Sequence, residues 1–204
     1  NHLHRTQAYI ETLMGHLRSH PRFAPELANA TQRERIAKAA PLHDIGKVGI
    51  PDAILLKPGK LTVEEFEIMK THAAIGADTI SEAVKRVGHG TGGEAVDAPL
   101  AFLDTARQIA GGHHEKWDGS GYPKGLAGEA IPVAARLMAL ADVFDALISR
   151  RHYKEAFPLE RSVGIITEGR GQHFDPDIVD AFLILMDEFV RIAERYADHT
   201  EEHA

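Results

Sequence analysis

The chain has no cysteine, no apolar run approaching the ~20 residues of a membrane span, and no excess of basic charge. The first absence excludes iron–sulfur clusters and Cys-rich structural zinc, and is compatible with a reducing cytoplasm. The second, with no secretory signal in view, argues for a domain that makes no membrane contact. A formal net charge of −7 argues against general affinity for long nucleic acid, which needs a basic face. It leaves room for a small phosphate ligand held by a few local cations. Internal repeats, low-complexity tracts and persuasive strand alternation are also missing. With 204 residues, 44% apolar and 26% charged, there is enough chain for one domain with a real core and too little for two. The chain opens at Asn1 without Met and already within a helical pattern, so a preceding segment is expected.

The apolar spacing is helical almost throughout. Leu3, Ile10, Leu13, Met14 and Leu17 form one stripe, ended at His20-Pro21. A second helix is predicted from about Thr31 to Asp44, stopped by Gly46, Gly49 and Pro51. Thr62 and Glu65 fit a capping box that opens a helix through Phe66, Met69 and His72. The Gly-rich stretch from Gly88 to Ala98 reads as a loop, and Pro99 suits the first turn of a helix reaching His113-His114. Further helices are predicted near Pro132, carrying Asp142 and Asp145, and after Pro158. The last runs from Asp175 as N-cap with Ile178, Phe182, Met186, Phe189, Ala193 and Tyr196 on one face. A short β-hairpin around Tyr122 to Ile131 is the one exception allowed for. The expectation is an all-α, single-domain helical bundle.

What the chain has in quantity is histidine, 13 residues of it. Most read as surface or hydrogen-bonded side chains, and no single one stands out. Two adjacent pairs do: His43-Asp44, and His113-His114 seventy residues later. Neighbouring helical residues point about 100° apart, so such a pair cannot aim at one point from a helix interior. At a helix end it can flank two ions, with the carboxylate bridging them. His72 and Asp142, from two further helices, would close the site. These six side chains are too many for one catalytic metal, which takes about three protein ligands and leaves room for water. Shared between two metals, they leave positions for water and substrate oxygens. Imidazole and carboxylate without thiolate suit iron, manganese or zinc.

Taken in order, His43-Asp44-Ile45-Gly46-Lys47, His72, and His113-His114-Glu115-Lys116-Trp117-Asp118-Gly119-Ser120-Gly121-Tyr122-Pro123 resemble the HD-GYP domain family. The likeness continues through Ala141-Asp142-Val143-Phe144-Asp145, Arg151-His152-Tyr153-Lys154 and Gly171-Gln172-His173-Phe174-Asp175-Pro176, and covers nearly the whole chain. That family is a branch of the HD metal-dependent phosphohydrolases, all-helical, with hydrolysis of cyclic di-GMP as its characteristic activity. The resemblance implies that residues 1–204 form an HD-GYP output domain. It also implies metal ligation by His43, Asp44, His72, His113, His114 and Asp142, holding two ions of iron or manganese, with a third in some members. His2 is similar to the family's early ligand, with His4 a weaker candidate. The family Glu that supports a third metal would lie one helical turn before His2, ahead of residue 1.

Lys47 is then expected near the metals as a cation that stabilises phosphoryl charge. Gly121 and Tyr122 are expected at the substrate, Tyr122 to stack or hydrogen-bond and Gly121 chiefly to shape the loop. Arg151 and Lys154 match the family's phosphate-contacting pair. The family's Arg-Pro-Tyr-Lys reads Arg151-His152-Tyr153-Lys154 here, which loses a Pro from the turn. The reaction implied is cleavage of cyclic di-GMP to pGpG, GMP or both, in the cytoplasm, by a homodimer or monomer behind an upstream sensory or receiver domain. Cyclic GMP-AMP is a related substrate. Two competing readings are a non-catalytic cyclic-dinucleotide sensor and an HD phosphohydrolase acting on another nucleotide.

Overall fold

A computed structural model describes residues 1–88, 97–149 and 156–197. Among these residues every regular element is helical: α1 (His2–Leu17), α2 (Ala24–Leu27), α3 (Ala30–Ala39), α4 (Asp52–Leu55), α5 (Val63–Gly88), α6 (Asp97–Gly112), α7 (Val133–Ile148), α8 (Leu159–Glu168), α9 (Pro176–Ile184) and α10 (Met186–Arg195). No helix among them is long and apolar enough to cross a membrane.

Helix starts follow local chemistry. Asn29 caps α3 by accepting from the amides of Thr31 and Gln32. The Thr62–Glu65 capping box is reciprocal, with Thr62 N–H donating to Glu65 Oε2 at 2.7 Å and Glu65 N–H to Thr62 Oγ1 at 3.2 Å. Asp175 caps α9, whose first residue is Pro176.

Three sequence expectations change. The second predicted helix ends at Ala39 rather than Asp44, and the chain continues as 3₁₀ turns over Ala40–Leu42 and Ile45–Gly49. Pro41 has no N–H to continue the α ladder, and this break sets His43-Asp44 at a corner. The last predicted helix bends at Leu185 into α9 and α10. Leu3, assigned to the buried stripe, is 46% exposed; Arg5, Thr6 and Tyr9 lie inside instead.

The allowed hairpin at residues 122–131 is also absent. A 3₁₀ turn at Gly128–Ala130 takes its place. The amides a strand partner would need are engaged elsewhere: Lys124 and Leu126 N–H donate to the Glu115 carboxylate, and Gly128 N–H to Trp117 O. The predicted Gly-rich loop falls outside the described residues over 89–96, and its two ends are helical instead, with Gly88 closing α5 and Asp97-Ala98 opening α6.

An aromatic cluster holds α1 to the C-terminal helices. Tyr9 stacks on Phe189 with centroids 4.6 Å apart, and Phe144 meets Tyr9, Phe182 and Phe189 edge-on. This packing presses the start of α1 against α7, where the site is built. The Tyr9 hydroxyl is buried without a hydrogen-bond partner. Tyr9→Phe should therefore be neutral or stabilising by up to about 1 kcal/mol, read as an equal or higher melting temperature. A clear loss of stability would mean the hydroxyl has a partner after all.

Helices α5 and α6 run antiparallel, with His72 beside His114 and Gly76 facing Ala110 one turn later. The other anchor is a buried ion cluster. Asp175 accepts from Arg136 Nη1 at 2.6 Å and from Arg22 Nη2 at 3.0 Å, and both guanidinium groups lie over the Trp117 ring. Trp117 and Asp118 N–H donate to the carbonyls of His173 and Gln172. The loop after His114 is thus tied to the entry of α9.

His173 lies at this junction, stacked on Phe174. Burial, helped by the Lys116 charge, pushes its imidazole down to about 4. In the unfolded chain the ring takes up a proton near pH 6.5, while the folded ring resists until about pH 4. Stability should therefore fall as pH drops across that window and level off below it. His173→Gln should flatten this segment of a stability–pH curve; a slope as steep as the parent's would refute the assignment.

Candidate metal centre

Four segments converge on one corner of the bundle. The turn after α3 brings His43 and Asp44, α5 brings His72, the turn after α6 brings His113 and His114, and α7 brings Asp142. The first turn of α1 adds His2. The ligand-type atoms fall into two groups, each within 4.8 Å: Asp44, His72, His113 and His114 in one, and His2, His43 and Asp142 in the other. Asp44 faces both groups. Its Oδ1 is 3.4 Å from His72 Nε2 and 3.8 Å from His113 Nε2, while its Oδ2 is 3.2 Å from His43 Nε2. Asp142 Oδ1 lies 3.6 Å from His2 Nε2 and 3.9 Å from His43 Nε2.

The second ring nitrogens decide what these imidazoles offer. His43 Nδ1 donates to Ala40 O at 2.9 Å, His72 Nδ1 to Met69 O at 2.7 Å, and His113 Nδ1 to Ile109 O at 3.0 Å. A carbonyl only accepts, so Nδ1 carries a proton in each ring, and whenever the ring is neutral it turns a bare Nε2 lone pair inward. The Nε2 atoms of His43 and His113 are buried and make no hydrogen bond. Burying unpaired acceptors beside one another costs free energy, and a cation between them would supply what is missing. The donors present therefore fit divalent metal ions.

The electrostatics agree. Burial pushes His113 down to about 3 and His114 down to about 2, and neighbouring imidazoles push in the same direction. Burial also disfavours the cation at His43, but Asp44 and Asp142 outweigh it and hold that pKa above the ordinary value. For Asp44, burial opposes ionisation, yet His43 and Lys47 hold the carboxyl well below the usual range. Lys47 Nζ lies 2.5 Å from Asp44 Oδ2. The corner keeps its carboxylate charged and draws positive charge toward it.

Of the expected site residues, the structure brings together His2, His43, Asp44, Lys47, His72, His113, His114 and Asp142. His4 points elsewhere and stacks on Tyr196. Tyr122 stacks on His114, with centroids 4.8 Å apart, and Lys70 Nζ lies 5.6 Å from its ring centre. Gly121 passes so close to the preceding backbone that an added Cβ would sit 2.3 Å from Lys116 N. Its lack of a side chain is a packing requirement. Arg151 and Lys154 lie outside the described residues.

Sequence reasoning missed the supports. Asp145 accepts from His2 Nδ1 at 2.8 Å and from Arg5 Nε at 2.6 Å, which turns His2 Nε2 toward Asp142. Buried Glu115 fastens the Gly-Tyr-Pro loop through two backbone amides. Asp145 lies three residues after Asp142 on the same helix, a spacing that could have flagged it. Glu115 carried no such signal. A cavity of about 420 Å³ opens over the centre, lined by His2, Asp44, Lys47, His114 and Asp142 and by Val143, Ala146 and Leu147.

The profile of the HD domain family matches residues 24–178. A Vibrio cholerae protein described as a probable cyclic di-GMP phosphodiesterase is 52% identical over 198 residues, 97% of this chain and 43% of that protein. The chain belongs to the HD domain family. A second Vibrio cholerae protein, described as a cyclic di-GMP phosphodiesterase, is 51% identical over 97% of this chain and 38% of its own length. The chain thus spans roughly two fifths of these relatives. A solved structure, a HDG"Y"P protein from Bdellovibrio bacteriovorus, superposes with a TM-score of 0.60 over 91% of this chain and 52% of that one. At 18% identity this likeness concerns the fold. The HD fold implies divalent-metal binding, and the double His/Asp cluster offers donor groups that could hold a metal ion.

Proposed function

We propose that this HD-GYP domain hydrolyses the phosphodiester bonds of cyclic di-GMP with two divalent metal ions, iron or manganese. The observation that carries the reading is the pair of ligand groups sharing Asp44 at the floor of an open cavity. One ion would be held by Asp44, His72, His113 and His114, and the other by His2, His43, Asp142 and the second oxygen of Asp44. An oxygen–nitrogen donor set without sulfur suits iron and manganese. Bound there, such ions acidify water toward neutral pH and withdraw charge from phosphate oxygens.

The chain's own groups supply the rest. Buried imidazoles fixed through Nδ1 hold their Nε2 atoms inward, so the centre is organised before substrate arrives. Lys47 sets a cation beside Asp44, at the cavity floor, where charge builds as water attacks phosphorus and the ribose 3′ oxygen leaves. Gly121 and Tyr122 border the substrate from the anchored loop, and Arg151 and Lys154 contact its phosphates. The first cut gives pGpG and the second GMP. The identities named for the two Vibrio relatives support this substrate. Those relatives are more than twice as long, which supports a domain that is the output module of a longer protein with a sensory or receiver domain upstream; a cytoplasmic location and a possible homodimer complete the proposal.

The test is product analysis after anaerobic purification, loading with Fe(II) or Mn(II), and incubation with cyclic di-GMP. Chelator-sensitive formation of pGpG or GMP is expected. Binding of the dinucleotide without product under either metal would replace the phosphodiesterase with a sensor domain.

A further inference from the structure

The cavity has two chemically distinct ends. Among the described residues its floor is His2, Asp44, Lys47, His114 and Asp142, and its remaining wall is Val143, Ala146 and Leu147, all from α7. Those three positions are spaced i, i+3 and i+4, so they form one stripe on one helical face. Asp142 begins the same stripe. At ~1.5 Å of rise per residue, Ala146 lies about 6 Å and Leu147 about 7.5 Å along the axis from Asp142. That span is comparable to the reach of a sugar between a phosphate and its base.

Core packing does not account for the stripe. The inward residues of α7 are Leu137, Leu140, Ala141 and Phe144, all fully buried, while Val143, Ala146 and Leu147 are only half-buried and face the opening. Val143 and Leu147 touch the core along one side, and Ala146 is no part of the core cluster. An alanine between two larger aliphatic side chains leaves a shallow, flat recess. Its side chains carry no hydrogen-bonding group. Such a surface gains by covering a flat apolar face and reads little of a base's edge.

We infer that the α7 stripe Val143–Ala146–Leu147 is a nucleobase subsite, holding a purine face while the phosphate lies over the metal centre. The inference rests on the nucleotide reading of the site, but it concerns binding of a base and not turnover. A wall of this kind accepts guanine and adenine alike, so it anchors the nucleotide without selecting between cyclic dinucleotides.

The experiment is calorimetric titration of Mn(II)-loaded protein with GMP and, separately, with ribose 5-phosphate, which offers the same phosphate and sugar without a base. GMP is expected to bind at least about tenfold more tightly, since stacking a base buries apolar area. Ala146→Leu fills the recess and should reduce that ratio to near one, with metal content and ribose 5-phosphate affinity unaltered. Leu147→Ala removes wall without adding bulk and should lower the ratio severalfold. A ratio near one in the parent overturns the subsite, as does a parental ratio in both variants. Equal weakening of both ligands also overturns it, because it places the stripe's effect at the phosphate. Failure of the phosphodiesterase reading would show separately, as absent cyclic di-GMP turnover alongside an intact GMP preference.

Discussion

Asp44→Asn is expected to abolish hydrolysis of cyclic di-GMP and to strip metal from the protein. The Asp44 carboxylate stands between the two ligand groups, one oxygen toward His72 and His113 and the other toward His43. An amide keeps the shape but loses the charge, and one of its ends becomes a donor, so it cannot serve both groups. Loss of a partner that only orients a ligand costs roughly 10–100-fold in activity, and loss of the shared ligand should exceed that. Elemental analysis should show less bound metal, and product analysis little or no pGpG. The metal-free variant should unfold below the temperature of the metal-free parent, since the ion pairs of Asp44 with His43 and Lys47 are lost although no packing is removed. An Asp44→Asn protein with parental metal content and turnover would end the assignment of Asp44 as the shared ligand.

The second large effect is steric. At Gly46 an added Cβ would lie 1.9 Å from the backbone oxygen of His72 and 2.5 Å from the nitrogen of Gly76. Neither atom can rotate away, so Gly46→Ala must lift the Ile45–Gly49 turn off α5 or bend α5 itself. Either movement separates Asp44 and Lys47 from His72. Overpacking of this severity should cost about 3 kcal/mol, at the upper end of the usual range. For a chain of this size that is about 6–12 °C in melting temperature. Gly15→Ala is the matched control: nothing lies within 4 Å of its would-be Cβ in the last turn of α1, and it should stabilise by up to ~1 kcal/mol. Equal melting temperatures for Gly46→Ala and the parent would show that the turn does not approach α5 so closely.

Much of the architecture could be read from local chemistry, because helix starts are written in a few adjacent residues. Thr62 with Glu65, Asp175 with Pro176 and the aliphatic spacing of α1 act within one or two turns. The helix predicted through Asp44 ran too far because apolar periodicity outweighed Pro41, whose missing N–H ends the α ladder. The hairpin was an error of another kind. Residues 122–131 carry the turn residues of a hairpin, but their amides go to Glu115 and Trp117.

The metal centre divides along the same line. The candidate ligands could be picked out because His43-Asp44, His72, His113-His114 and Asp142 stand in a set order with their neighbours, and donor chemistry is a property of residue type. Local sequence could also set the imidazole tautomers, since Ala40, Met69 and Ile109 accept from rings three or four residues on. What needed tertiary structure was everything that depends on distance between elements. Asp44 facing both groups, Asp145 and Arg5 steering His2, and the apolar α7 wall beside the His/Asp cluster arise when four helices close on one corner. Hydrogen bonds and burial act over a few ångströms, whereas these partners lie 28 to 143 residues apart in the chain. Periodicity can put a residue on a face of its helix; only packing decides what that face meets.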